Sequence, residues 1–391
     1  MTEPATLTLE DADRFDRLRR ISWWNQDKLG DAKVVVIGAG ALGNEVLKNL
    51  ALLGVGNLFV ADLDRIETSN LSRSILFRER DNGRPKAEVA AEAVRDVYPG
   101  VNVHWFHGDV IYDLGLGVYR WADVVIAGLD NREARLAINR YCWKTSTPWI
   151  DGATEVLQGV IRVFIPPDGA CYECTMSAAD WEVLNERRGC GGLRNNGALA
   201  VRIPTTPITA SIIAALECQE AVKILHGMES LSGQGLVFNG NVNESYTVRY
   251  SFNEECNSHE TFDRVIPLDR SVVDTTLAEL LRTAEAALGP GAVIEFNQDI
   301  LTAFSCPRCG TTEQVFRPRG SVSENAALCP TCRELRQPVV AGSISESDPF
   351  LERTLADFGV PPFDIVAVRR GMERIGYEFS ADAGAILGQL A

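Results

Sequence analysis

The chain of 391 residues has no run of about 20 uncharged apolar residues, the length a membrane-spanning helix needs. Its longest apolar-rich stretch, ITASIIAALECQEAVKIL, is interrupted by Glu217, Glu220 and Lys223 and reads as a helix of a soluble protein, with no membrane partner. The N-terminus, MTEPATLTLEDADRFDR, is acidic and lacks an apolar h-region, so no signal peptide is expected and the expected location is the cytoplasm. Positive charge is in deficit. Against 53 Asp and Glu stand 38 Lys and Arg, a formal net charge of −15, which argues against nucleic acid as the main partner because phosphate binding needs a basic face. Internal repeats and low-complexity tracts are absent too.

What is present is an ordinary globular mixture, 46% hydrophobic and 23% charged, with enough apolar material for a sizeable core. At roughly 100 to 200 residues per domain, two or three domains are expected. Residues 8–30 read as a helical lead-in. KVVVIGAGALGNEVLKNLALLGVGNLFVADLD then reads as strand, glycine turn, helix and second strand, one βαβ unit. KAEVAAEAVRDVYP is a helix, VNVHWFH and ADVVIAGLD are strands, and NREARLAINRYCWKT is a further helix. This alternation predicts an α/β fold with a Rossmann-like, mainly parallel sheet covered on both faces. GVIRVFIP and GLVFNGNVNESYTVRYSF extend it with antiparallel strands, and a helix is expected over about 209–226. Beyond residue 261 the composition shifts to a small α+β domain: a helix in TTLAELLRTAEAAL, a strand in GAVIEF, a helix in PFLERTLADFG, and strands in FDIVAVRR and ERIGYEFSA. The expected organisation is a lead-in over 1–30, a nucleotide-binding domain over 31–260 and a C-terminal domain over 261–391.

Gly38, Gly40 and Gly43 follow an apolar strand and open a helix, the setting in which glycines permit a tight turn and the helix N-terminus favours phosphate. Asp62 lies nineteen residues after Gly43 at the end of the next strand, with Asp64 beside it, where an acid can hold ribose hydroxyls. The sheet context alone fits a dinucleotide or ATP. Asn70, Arg73 and Lys86 point to ATP, because a triphosphate that expels pyrophosphate builds charge that cations must meet. Asp130 stands at the C-terminal end of its strand, where open α/β sheets bind ligands and where a carboxylate can hold Mg²⁺.

Six of the ten cysteines form three CxxC pairs, which in a reducing compartment suggest metal rather than disulfides. Cys306, Cys309, Cys329 and Cys332 have the C-x₂-C-x₁₉-C-x₂-C spacing of a zinc ribbon over 306–332. Cys142 and Cys218 sit among apolar neighbours and read as core residues. Cys190 lies in NERRGCGGLRNNG, flanked by Arg187, Arg188 and Arg194, cations that favour the nucleophilic thiolate.

Together GAGALGNEVLKNLALLGVGNLFVADLDRIETSNLSR, GRPKAEVA, GLDN, CYEC and IPTTPITASIIAALECQEAVKIL resemble the activating enzymes of ubiquitin-like proteins, whose bacterial relatives MoeB, ThiF and HesA serve sulfur carriers. The match covers about residues 11–260. It implies that ATP adenylates the C-terminal glycine of a small protein and releases pyrophosphate. It also implies ribose binding by Asp62, phosphate binding by Asn70, Arg73 and Lys86, Mg²⁺ at Asp130, and an Arg17 that reaches the ATP of the other protomer of a homodimer. Without the resemblance Arg17 reads as a helix-surface charge.

The family's first zinc pair matches Cys171 and Cys174; where its second pair stands, this chain has CNSH, implying a structural Zn²⁺ site of Cys171, Cys174, Cys256 and His259. The alternative gives Cys306 and Cys309 to that site. In the branch that feeds conjugating enzymes, a cysteine at the position of Cys190, in a loop over about 175–202, takes the activated protein as a thioester. The C-terminal stretch TLADFGVPPFDIVAVRRGMERIGYEFSA resembles the end of the ubiquitin-fold domain of activators of the NEDD8 and SUMO type, which recruits the conjugating enzyme. Two other readings stay open: a sulfur-carrier or peptide adenylyltransferase that stops at the acyl-adenylate, and a non-enzymatic scaffold.

Overall fold

The structure is a computed structural model that describes residues 13–187, 192–195 and 204–391. Of the lead-in, the described part forms two short helices, α1 (Asp16–Arg19) and α2 (Gln26–Asp31), rather than one. An eight-stranded sheet follows. Its strands are β1 (Lys33–Ile37), β2 (Asn57–Asp62), β3 (Asn102–His107), β4 (Val124–Ala127), β5 (Trp149–Glu155), β6 (Gln158–Phe164), β7 (Gln234–Asn239) and β8 (Glu244–Arg249). They lie in the order β3-β2-β1-β4-β5-β6-β7-β8. The first five are parallel and the last three antiparallel additions.

The parallel strands are apolar at nearly every position because both faces are covered. Val34, Val36, Leu58, Val60, Val124 and Ile126 face one core, built with α3 (Ala41–Leu53), α4 (Lys86–Val97) and α8 (Pro207–His226). Val35, Ile37, Phe59, Ala61, Val125 and Ala127 face the other, with α5 (Leu116–Trp121) and α6 (Arg132–Thr145). The strand order reverses between β1 and β4, where an open α/β sheet forms its ligand crevice. Helix α7 (Ala178–Arg187) follows the first CxxC, and Cys190 lies outside the described residues. Among the described residues no helix is long and apolar enough to cross a membrane.

A second sheet of six strands comprises β9 (Arg264–Leu268), β10 (Val293–Ser305), β11 (Thr312–Pro318), β12 (Gln337–Ile344), β13 (Ile365–Arg370) and β14 (Glu373–Phe379). Its order is β11-β10-β13-β14-β9, with β12 also on β10; β9 runs parallel to β14 and α9 (Leu277–Leu288) packs on the sheet. The two sheets share a core. Phe363, Ile365 and residues of α10 (Ala383–Leu387) pack among the side chains of α5 and α6, and Leu116 N donates to Asp364 Oδ1 at 2.8 Å.

The helix expected over PFLERTLADFG does not form. Only a 3₁₀ turn, Ala356–Phe358, is present. The segment's carbonyls serve another helix: Leu277 N donates to Arg353 O at 3.0 Å and Ala278 N to Leu351 O at 2.9 Å, satisfying the first turn of α9.

Candidate functional site

A cleft of about 890 Å³ opens at the C-terminal ends of β1, β2 and β4. Gly38 has φ +91°, and a Cβ there would stand 2.6 Å from Gly128 O, so the turns after β1 and β4 approach as only glycine allows. Gly43 serves packing instead: a Cβ would stand 1.8 Å from Gly38 O. No side chain caps the N-terminus of α3, which leaves N–H groups and the positive end of the helix facing the cleft. Asn44, fully buried, holds the loop by donating to Ala39 O at 2.7 Å and Gly40 O at 3.0 Å.

Gly38, Gly40, Asp62, Asp64, Asn70, Arg73, Lys86 and Asp130 all line this cleft. Asp62 accepts from Ala39 N at 2.7 Å and from Asp64 N at 2.7 Å, and burial raises its carboxyl while the Lys86 charge opposes that. Lys86 Nζ reaches Asp64 Oδ2 at 2.8 Å, a buried amine held by an exposed carboxylate that a phosphate can replace. Asn70 accepts from Glu67 N at 2.9 Å, shaping the 3₁₀ turn Thr68–Asn70 that carries the segment into the cleft. Arg73 donates to Ser69 O at 2.7 Å. Asp130 is exposed at the cleft. Arg17 is exposed on α1 and is not among the residues lining its own chain's cleft.

Four residues at the back of the cleft, Arg162 half-buried and the other three buried, escape a reading of the sequence. Arg135 Nε lies 2.6 Å from Asp151 Oδ1, and Arg162 Nη1 lies 2.6 Å from Asp151 Oδ2. Arg135 also donates to the carbonyls of Leu129 and Gly152, tying down the residue before Asp130. Glu217 of α8 packs on Gly152 with neither oxygen hydrogen-bonded among the described residues, and burial pushes its carboxyl well above the usual range. These residues sit on separate elements, and no local spacing joins them.

Among the described residues, two groups of side chains have ligand atoms within 4.8 Å of one another and could hold a metal ion. In the first, Cys171 Sγ lies 3.7 Å from Cys174 Sγ and 3.6 Å from Cys256 Sγ, and Cys174 Sγ lies 3.4 Å from His259 Nε2. The His259 ring is stacked between Trp143 at 4.4 Å and Phe252 at 4.5 Å, and burial lowers its pKa, keeping the imidazole neutral as a ligand must be. In the second, Cys306 Sγ lies 3.5 Å from Cys332 Sγ and Cys309 Sγ lies 3.6 Å from Cys329 Sγ. A tetrahedron of thiolates at about 2.3 Å from a zinc ion has edges of about 3.8 Å, so both sets fit. Cys306 and Cys309 are grouped with the later cysteines, not with Cys171. Cys142 and Cys218 are buried, and burial pushes both thiols up.

The glycine turn at the sheet's reversal, the acid after β2 and the cations beyond it give this Rossmann-like protein a cleft whose groups suit a nucleotide. The sequence profile of the ThiF family matches residues 14–258, and the chain belongs to that family. It is 44% identical over 161 residues to a NEDD8-activating enzyme E1 catalytic subunit of Dictyostelium discoideum, covering 38% of this chain and 36% of that protein. It is 39% identical over 149 residues to SUMO-activating enzyme subunit 2 of the same organism, covering 38% of this chain and 22% of that one. The matches therefore span well under half the length of these curated relatives. Among solved structures, E. coli MccB with ATP superposes at a TM-score of 0.54 and 23% identity, over 64% of this chain and 75% of that one, a likeness of fold.

Proposed function

We propose that the protein activates a ubiquitin-like protein with ATP. The observation that carries the reading is the convergence of Asp62, Asn70, Arg73, Lys86 and Asp130 on one cleft at the sheet's reversal. In this reading the C-terminal glycine carboxylate of the substrate protein attacks the α-phosphorus of ATP. The bond from that phosphorus to the bridging oxygen breaks, and pyrophosphate leaves. Asp62 and Asp64 hold the ribose side, Asn70, Arg73 and Lys86 stabilise the charge growing on the phosphates, and Asp130 holds Mg²⁺. Lys86 exchanges its contact with Asp64 for a phosphate. Arg17 serves the cleft of the partner in a homodimer. The Cys190 thiolate then attacks the acyl carbon, AMP leaves, and the thioester passes to a cysteine of a conjugating enzyme.

The division into a lead-in (1–30), an adenylation domain (31–260) and a partner-recruiting, ubiquitin-fold-like domain (261–391) belongs to the same reading, as does a cytoplasmic location. The parallel pairing of β9 with β14, with α9 packed on their sheet, supports the last domain. Zinc at Cys171, Cys174, Cys256 and His259, and at Cys306, Cys309, Cys329 and Cys332 as a ribbon, would be structural, because no coordination position is left open.

The test is ATP–pyrophosphate exchange with candidate Gly-terminated proteins, followed by a non-reducing gel. A thiol-sensitive adduct that disappears in Cys190→Ala is expected. Exchange without an adduct would sink the thioester step and favour an adenylyltransferase that stops at the acyl-adenylate. No exchange with any carrier would favour the scaffold.

A further inference from the structure

One wall of the nucleotide cleft joins the ThiF-family segment to the C-terminal part of the chain. Gly320 from the second sheet's region lines it, and so does Arg194. Gly320 packs so tightly on Tyr112, another cleft residue, that a Cβ would stand 2.2 Å from the Tyr112 hydroxyl. Arg194 is stitched to the same region. Its N–H donates to Val322 O at 2.8 Å and its carbonyl accepts from Glu324 N at 3.0 Å, a bridge opposite Ser323. The preceding Leu193, 2% exposed, is packed in a small core with Leu301, Phe304, Val322 and Ala327. The backbone of Arg194 is thus held at the cleft by the C-terminal part of the chain, while its side chain stays exposed.

Strand order says which end of the nucleotide this wall meets. Phosphates belong at the glycine turn and the α3 N-terminus after β1, and the ribose at Asp62 after β2. The next strand outward is β3. The base therefore lies toward the turn after β3, where Gly108 and Asp109 line the cleft. Arg194 belongs to this end, because it shares its wall with Gly320, which packs on Tyr112 in the segment that follows β3. Burial raises the Asp109 carboxyl, and the Arg194 charge is among those that counter the rise.

We infer that Arg194 is a nucleotide-binding residue that the C-terminal part of the chain delivers over the base end of the cleft, where its planar guanidinium stacks on the purine. The inference rests on the reading of the cleft as an ATP site. It makes the second sheet's region part of that site as well as a partner-recruiting unit.

The test is calorimetric binding of ATP and of AMP to the full chain, with Arg194→Ala, Arg194→Lys and Leu193→Asp. Stacking on the base predicts that Arg194→Ala weakens both nucleotides by the same factor, roughly two- to thirtyfold. Arg194→Lys should not restore binding in full, because an ammonium lacks the flat face. Leu193→Asp, which unseats the bridge and keeps the arginine, should reproduce the loss; should it fail to fold, the exposed Arg194 variants still decide. Unchanged affinity in Arg194→Ala, a loss confined to ATP, or full rescue by Lys would each overturn the inference. Wild-type protein that binds ATP but shows no exchange with any Gly-terminated protein would sink the adenylation reading and leave this one standing. An Arg194→Ala variant that binds and exchanges like wild type would do the reverse.

Discussion

Asp151→Asn places the strongest demand on the wall behind the cleft. The Asp151 side chain is fully buried, and its two oxygens face Arg135 Nε and Arg162 Nη1, each at 2.6 Å. An amide offers one oxygen and one NH₂, so whichever way it turns, one guanidinium meets a donor. Breaking a buried ion pair from one side costs about 3–5 kcal/mol. The lower end, about 3 kcal/mol, applies here, because the Arg162 side chain is 21% exposed and water reaches it. At roughly 2–4 °C per kcal/mol for a domain of this size, the melting temperature should fall by roughly 6–12 °C. Arg135 would also loosen its hold on Leu129 O, next to Asp130, so ATP affinity in the presence of Mg²⁺ should fall with it. Thermal unfolding followed by circular dichroism, with calorimetric titration of ATP, reads both effects. A melting temperature within about 2 °C of wild type would refute the claim that this carboxylate holds the wall.

Elemental analysis of purified protein should find two zinc ions per chain, falling to one in Cys171→Ser and to one in Cys306→Ser; a single ion in wild type would remove one of the two sites. Lys86→Met should lower ATP–pyrophosphate exchange by about 10² or more, the usual loss when a transition-state charge stabiliser is removed, with the circular dichroism spectrum unchanged. Glu217 carries a raised carboxyl pKa in the folded state, so the folded chain binds this proton more tightly than the unfolded one and its contribution to stability falls as pH rises from the ordinary Glu range. Glu217→Gln should therefore gain stability relative to wild type progressively as pH rises above the ordinary Glu range, and a difference in melting temperature that does not grow with pH would contradict the buried carboxyl.

The elements readable from the chain were those whose signals are local. Apolar runs bounded by glycine marked β1 and β4, and the Gly38, Gly40 and Gly43 spacing marked the turn into α3. The segment over 349–359 misled because Leu351, Leu355 and Phe358 carry a helical spacing, yet its carbonyls are taken by the first turn of α9. Strands β11 and β12 went unread because they flank the two CxxC turns and pair with β10, whose end lies far off in sequence for β12.

For the site, residue type and order named Asp62, Asn70, Arg73, Lys86 and Asp130, because phosphate and ribose chemistry demands acids and cations at the ends of particular strands. The chain by itself also determined that Cys171 and Cys174, and Cys306 and Cys309, come as pairs, since CxxC is local. Which pair joins which partner was decided only in three dimensions, where His259 is pinned between Trp143 and Phe252 beside Cys174. The same holds for the Arg135–Asp151–Arg162 triad and for Arg194 at the cleft wall. Burial and charge pairing between distant segments depend on how sheets and helices pack, and packing leaves no fixed spacing along the chain.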